Sequence, residues 1–152
     1  MTEEEFLALT GQSAPKKKKS PKYRNIKVYV CKNGAVFRDK DIAKEYGIVE
    51  IYDSIKEYDR WVELNLLQRA GEISGLTRQS KWVIQEKTTY RDEVIREIAY
   101  KADFEYYENG LHIVEDVKPF DKIKEKYITT KDFKLKWKLL KEKYPDIEFR
   151  IY

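Results

Sequence analysis

The dipeptide Asn109-Gly110 stands between two β-prone runs, about Val94 to Tyr107 and Leu111 to Lys118. Asn-Gly is the favoured pair for two-residue hairpin turns, where both central residues take positive φ. That one turn constrains every pair behind it. With a two-residue loop Glu108 faces Leu111, and counting back places Asp103 opposite Asp116 and Lys101 opposite Lys118. Side chains alternate along a strand, so Asp103, Asp116 and Lys118 project to one face. Opposed Cβ atoms stand roughly 4.5–5.5 Å apart, and like charges so placed repel. Two such carboxylates call for a cation.

Composition narrows which cation. The chain has 152 residues but one cysteine, Cys31, and one histidine, His112. A single cysteine excludes an internal disulfide, and the pair cannot supply the roughly four N/S ligands of a structural zinc site. Oxygen ligands alone select a hard ion, Mg²⁺ or Mn²⁺. The same acids would also serve a polar, solvated sheet face continued by Glu105 and Tyr107, and a register slip of one residue would separate them. His112, four residues from Asp116, reads as a surface residue.

A third carboxylate is sought on the helix expected from Ser54 to Ala70, stopped by Gly71. On a helical wheel its apolar arc holds Ile55, Tyr58, Trp61, Val62, Leu64 and Leu66, with Glu57 at the margin. Glu63 falls on the opposite side, among Lys56, Asp59 and Arg60. An acid turned toward the sheet is costly without a partner, so Glu57 is the better candidate and Glu63 the solvent-facing one. Ser54-x-x-Glu57 is also a capping box, in which Glu57 bonds back to the backbone at Ser54. Both roles stay open for Glu57.

The remaining chain reads as strands at Val28–Val30 and Ala35–Phe37 around an Asn33-Gly34 turn, then a short helix from Asp41 to Tyr46. A strand follows at Trp82–Glu86. A second helix runs from Thr130 to Tyr144, and a final strand covers Ile147–Ile151. Residues 1–22 read as a flexible basic tail and 23–152 as one domain, an α/β fold around a mixed sheet. The net charge of +4 is unevenly spread. Lys16 to Lys27 holds seven basic residues and no acid, Val28 to Lys118 fourteen basic against eighteen acidic, and Pro119 to Tyr152 ten against six. Basic ends point to a polyanion. Candidate phosphate contacts are Lys16, Lys17, Lys18, Lys19, Lys22 and Arg24 in the tail, and the helical stripe Lys134, Lys138 and Lys141; solvated charge is the plainer alternative. With no run of about 18 apolar residues and no signal-peptide pattern, the expectation is a soluble protein of a reducing compartment.

Asp103, twelve residues, then Asp116-Val117-Lys118 resembles the D…(D/E)-x-K signature of the PD-(D/E)XK nuclease superfamily. The element order is similar to that superfamily's restriction-endonuclease-like αβββαβ core, with a central mixed four-stranded sheet flanked by helices. Lys22–Asn25, Asp53–Glu57, Leu66–Ile73, Tyr100–Phe104 and Val114–Lys118 look like a family of small phage-encoded proteins, described as endonucleases near the Holliday junction resolvases or left without a function. The likeness covers about residues 22–152. Two departures stand out: Asn33 to Glu50 is longer than that family's usual link, and Pro119 stands where glycine often follows the lysine.

The resemblance implies a Mg²⁺- or Mn²⁺-dependent endonuclease acting on DNA, branched DNA above all. It implies a homodimer, since two symmetric cuts need two sites, and the cytoplasm of a bacterial host. Glu57, Asp103, Asp116 and the main-chain carbonyl of Val117 would hold the metal, and Lys118 would act on the attacking water. A non-catalytic nucleic-acid-binding protein and a sequence- or mismatch-specific nickase are the rival expectations.

Overall fold

The computed structural model describes residues 25–152. Chain order runs β1 (Val28–Cys31), β2 (Val36–Phe37), α1 (Lys40–Glu45), β3 (Ile48–Tyr52), α2 (Ile55–Arg69), β4 (Ser74–Gln85), β5 (Thr88–Tyr90), β6 (Glu93–Ile95) and β7 (Ile98–Glu108). It continues through β8 (Leu111–Asp116), β9 (Phe120–Asp121), β10 (Lys126–Tyr127), α3 (Lys131–Lys143) and β11 (Glu148–Ile151). The fold is α/β, with a central mixed sheet of four strands in the order β11-β8-β7-β4 and helices packed against it. β11 joins β8 in parallel, while β8, β7 and β4 pair antiparallel.

The hairpin register is the expected one. Glu108 pairs with Leu111 and Phe104 with Glu115, and the turn residues Asn109 and Gly110 take φ of 50° and 78°. Both values fit a type I′ turn, whose twist matches that of the flanking strands.

The sheet has two cores. Ala102, Val114 and Phe149 pack with Phe133, Trp137 and Leu140 of α3. Phe104, Tyr106 and Ile113 pack with Leu64 of α2 and with Ile73. Ala102 and Phe104 are two residues apart, so regular alternation would put them on one face; they lie on opposite ones. The paired strand switches at the same level. Arg78, opposite Phe104, turns toward Trp61 of α2. Trp82, beyond Ser80 and opposite Tyr100, packs in the α3 core. Gln79 lies at the switch with φ of 54°, and Asp103 lies between Ala102 and Phe104 on the neighbouring strand.

Three sequence expectations needed correction. The run from Val94 to Tyr107 is two strands, because residues 88–95 fold into a separate hairpin with Arg91 at φ 52°. The strand expected at Trp82–Glu86 begins at Ser74, its polar first half carried by pairing with β7. In the segment Asn33 to Glu50 the expected strand and short helix form as β2 and α1, but most of a further strand, β3, forms there too, and β1, β2 and β3 make a separate antiparallel sheet in the order β2-β1-β3. Its buried core is Tyr29, Cys31 and Ala43. Among the described residues no helix is long and apolar enough to cross a membrane.

Candidate metal and phosphate site

Glu57 reaches the site from the first turn of α2. Ser54 caps that helix, its Oγ accepting the Glu57 N–H at 3.0 Å. The Glu57 carboxylate returns the bond one residue earlier than a capping box requires, accepting the Asp53 N–H at 3.0 Å. The side chain is 4% exposed, so the cap holds a carboxyl group that has little water. Its other oxygen stands 3.7 Å from Arg78. Of the two roles left open by the sequence the cap is present, moved one residue to Asp53, and the same carboxylate borders the cavity.

Asp103 approaches from β7 at the face switch. Its Oδ2 accepts the Val117 N–H at 2.8 Å, which fastens β7 to the chain leaving β8. Asp116 ends β8 and is 1% exposed. Its Oδ2 makes no directed hydrogen bond and meets the Lys118 ammonium as an ion pair. Lys118 also donates to the Tyr100 hydroxyl at 3.4 Å and lies 4.4 Å from the centre of the Phe133 ring. The face switch explains this company. Tyr100 stands beside Lys118 where unbroken alternation would have brought Lys101, and Lys101 instead pairs with Lys81 and is exposed.

Glu57, Asp103, Val117 and Lys118 line one cavity of about 290 Å³, with Asp53, Lys56 and Pro119. The charges in it interact. Burial first, then the neighbouring Asp116 and Glu57, push the Asp103 carboxyl up to about 7, against the opposing Val117 N–H and Lys118 ammonium. Burial likewise raises Glu57, with Arg78 and the Asp53 N–H opposing. Tyr100 rises above its ordinary range through burial and then through the charge of Asp116, so its hydroxyl stays protonated.

Among the described residues no three His, Cys, Asp or Glu side chains are gathered tightly enough to hold an ion as they stand. The donor chemistry nevertheless suits a hard cation. Asp116 and Glu57 make the buried Asp103 carboxyl costlier to ionise, and one buried Asp116 oxygen is served by a flexible ammonium alone.

Several expected placements changed. Lys56 and Arg60, assigned to the outer side of α2, face inward. Lys56 lines the cavity and donates to the Lys118 carbonyl at 2.8 Å; Arg60 grips Glu115, itself 1% exposed, through bonds of 2.7 and 2.8 Å. The inward stripe is polar because β8 offers it an acid and the chain just past β8 a carbonyl, and Val62 and Leu66 are correspondingly 40% and 58% exposed. Glu63 is exposed as expected, paired with Arg60 at 2.8 Å. His112 does not join the site and contacts Glu105 at 2.7 Å.

Arg78 went unrecognised. It donates to the Ile51 carbonyl at 3.1 Å, lies 3.7 Å over the Tyr52 ring and faces both Glu50 and Glu57. Its one signal is the alternation Leu76, Arg78, Ser80, Trp82, which is weak amid so many polar residues. Lys134, Lys138 and Lys141 are exposed on α3 and carry no ion pair among the described residues. Lys16 to Lys19, Lys22 and Arg24 lie outside the described residues.

No curated protein and no solved structure matches the chain. Residues 38–151, more than half of its length, match the model of the family described as "Protein of unknown function (DUF1064)", a span that contains Glu57, Asp103, Asp116 and Lys118. The chain belongs to that family.

Proposed function

We propose that this protein is a metal-dependent DNA endonuclease that hydrolyses phosphodiester bonds, with branched DNA as its substrate and phage DNA recombination or processing as its setting. The observation that carries the reading is that Glu57, from a helix start, and Asp103, from β7, line one cavity with Lys118, whose ammonium pairs with the buried Asp116 at the end of β8. Glu57, Asp103, Asp116 and the Val117 carbonyl are the groups that would hold Mg²⁺ or Mn²⁺. Bound there, such an ion would acidify a water and offset charge on a phosphate.

The residues' own parts follow from where they stand. Asp103 and Val117 keep the two strands in register through their hydrogen bond, so the acids hold their spacing. Lys118, between Asp116 and the Tyr100 hydroxyl, orients the attacking water and offsets negative charge developing at phosphorus. A lysine suits this position because it is a compact cation whose proton affinity responds to burial. Two copies of the chain would supply the two cuts that a symmetric junction requires.

A second reading, a nucleic-acid-binding protein that does not cut, draws on the Lys118–Asp116 ion pair, since the lysine already neutralises the acid that a metal would need. Supercoiled plasmid and four-way junctions, incubated with Mg²⁺ or with EDTA, separate the two. Metal-dependent cutting that is lost in Asp116→Ala is expected. Cutting that survives either EDTA or that substitution overturns the site, and tight junction binding without cutting under any divalent metal selects the second reading. Cutting confined to one sequence or mismatch would make the protein a nickase.

A further inference from the structure

Between β10 and α3 lies a groove of about 290 Å³, separate from the carboxylate cavity. Tyr127, Phe133, Trp137 and Ile151 line it, and Lys134, Lys138 and Lys141 stand around it. Tyr127 is 37% exposed and set edge-on against Phe120, ring centres 5.2 Å apart. Trp137 is 4% exposed, and its buried indole N–H has no acceptor among the described residues. Buried tryptophans ordinarily find one.

The lysines of α3 divide into two kinds. Lys136 pairs with Asp132 at 3.4 Å and Lys143 donates to the Ile84 carbonyl at 3.3 Å. Lys131, Lys134, Lys138 and Lys141 have no ion pair or side-chain hydrogen bond among the described residues, and the last three stand at the groove. A neighbouring hollow shares Tyr127 and Lys134 and adds Lys124 and Lys126. Its one acid, Asp121, is engaged by the Ile123 and Lys124 N–H groups at 3.0 and 3.1 Å.

This surface adjoins the carboxylate site. Phe133 lines the groove and also lies under Lys118. Lys56 reaches from the site toward Tyr127, 5.3 Å from its ring centre. An aromatic floor ringed by unpaired cations suits a flat apolar group attached to a polyanion. Single-stranded nucleic acid has that chemistry: bases stack on aromatic rings while lysines track the phosphates. A base inside a duplex is already stacked and cannot enter such a groove without being extruded.

We infer that the groove receives one unpaired base of the nucleic-acid substrate, with that strand's phosphates on Lys134, Lys138 and Lys141. The inference rests on the nuclease reading and deepens it, because it defines the substrate as one with an unpaired nucleotide beside the cut.

The test is binding in EDTA, where no cutting occurs. A duplex carrying one bulged 2-aminopurine is compared with the same duplex fully paired. The bulged duplex binds about 5-fold or more tightly, and its 2-aminopurine fluorescence is quenched on binding. Tyr127→Ala removes the preference and the quenching while leaving affinity for the paired duplex. Tyr127→Leu, which keeps an apolar contact for Phe120 but no flat ring, does the same. Lys138→Ala with Lys141→Ala weakens binding to both duplexes. Equal affinity for the two duplexes, or a preference that survives both Tyr127 variants, overturns the inference. A preference retained by a protein that never cuts would sink the nuclease reading alone; metal-dependent cutting without any preference would sink the groove alone.

Discussion

Arg60 of α2 holds Glu115 of β8 by two parallel hydrogen bonds, 2.7 Å from Nε and 2.8 Å from Nη2, while the Tyr106 hydroxyl donates to the same carboxylate at 2.8 Å. Glu115 is the neighbour of Asp116, and Arg60 lies one turn from Glu57. The pair therefore locks together the two elements that carry the candidate ligands. Removing one partner of a buried pair strands a charge and costs about 3–5 kcal/mol. Arg60→Ala should lower stability by about that amount in urea unfolding. The triple change Arg60→Met, Glu115→Leu and Tyr106→Phe, which also removes the hydroxyl bonded to Glu115, should recover most of it, since an apolar cluster of similar volume is often neutral. A triple variant as unstable as Arg60→Ala would show that the charges themselves are required.

Asp103 makes metal-free stability depend on pH in an unusual direction. Its carboxyl titrates near 3.8 in the unfolded chain and is pushed up to about 7 in the fold. Across that window the folded state holds a proton that the unfolded state has lost, so stability falls as pH rises through it. Glu57, also raised, adds in the same sense. In EDTA the melting temperature should drop between about pH 4 and about pH 7. Asp103→Asn keeps an acceptor for the Val117 N–H and should flatten that decline. An equally steep decline in the variant would place the titrating group elsewhere.

A divalent metal should reverse that loss. An ion that binds only the folded state stabilises by about 2.7 kcal/mol at 100 times its Kd, worth several degrees in a chain of this size. Mn²⁺ should raise the melting temperature at neutral pH, more than Ca²⁺ of larger radius. Asp116→Ala should abolish the rise. A shift of the same size in that variant would locate the metal away from Asp116.

The hairpin was legible because Asn109-Gly110 strongly favours a two-residue type I′ turn, and that turn carries the register to Phe104 and Glu115. The face switch at Asp103 was not legible. It depends on Gln79, a non-glycine residue at positive φ on the next strand, and nothing local in Ala102-Asp103-Phe104 announces it. The inward stripe of α2 failed for a related reason. A wheel ranks residues by apolarity, yet Arg60 and Lys56 are drawn in by Glu115 and the Lys118 carbonyl, partners more than fifty residues away. The inward placement of Glu57 was legible because its cap and its burial act together at one helix end. The β1–β3 sheet was half seen: the Asn33-Gly34 turn revealed two strands, while Ile48–Tyr52 alternates too briefly beside Gly47 to declare a third.

Glu57 offers a separation of structural and ligand roles. Glu57→Gln retains an oxygen for the Asp53 N–H and loses the charge; Glu57→Ala loses both. The glutamine variant should fold at least as stably as the native chain without metal, because a desolvated carboxylate has been removed. The alanine variant should lose about 1 kcal/mol through the missing cap. Both should lose the Mn²⁺-induced rise in melting temperature. Retention of that rise in Glu57→Gln would leave Glu57 as a cap alone and move the third ligand elsewhere.

The α3 lysines make a prediction that no other feature of the fold shares. A cation that neutralises one phosphate releases counterions, so it contributes about −0.9 to the slope of log K against log salt on duplex DNA. Lys134, Lys138 and Lys141 are exposed and free of ion pairs among the described residues, so each is available for one such contact. Replacing all three with alanine should weaken duplex binding and make the slope shallower by up to about 2.7, three times the single-contact value. Replacing Lys136, held by Asp132 at 3.4 Å, should change the slope little. Charge scattered over the surface would give the same small change for every lysine, whereas a tracked strand gives a large change for three and almost none for the fourth. Filter binding or fluorescence anisotropy across a salt series distinguishes these outcomes, and a slope unchanged by the triple substitution would remove α3 from the interface.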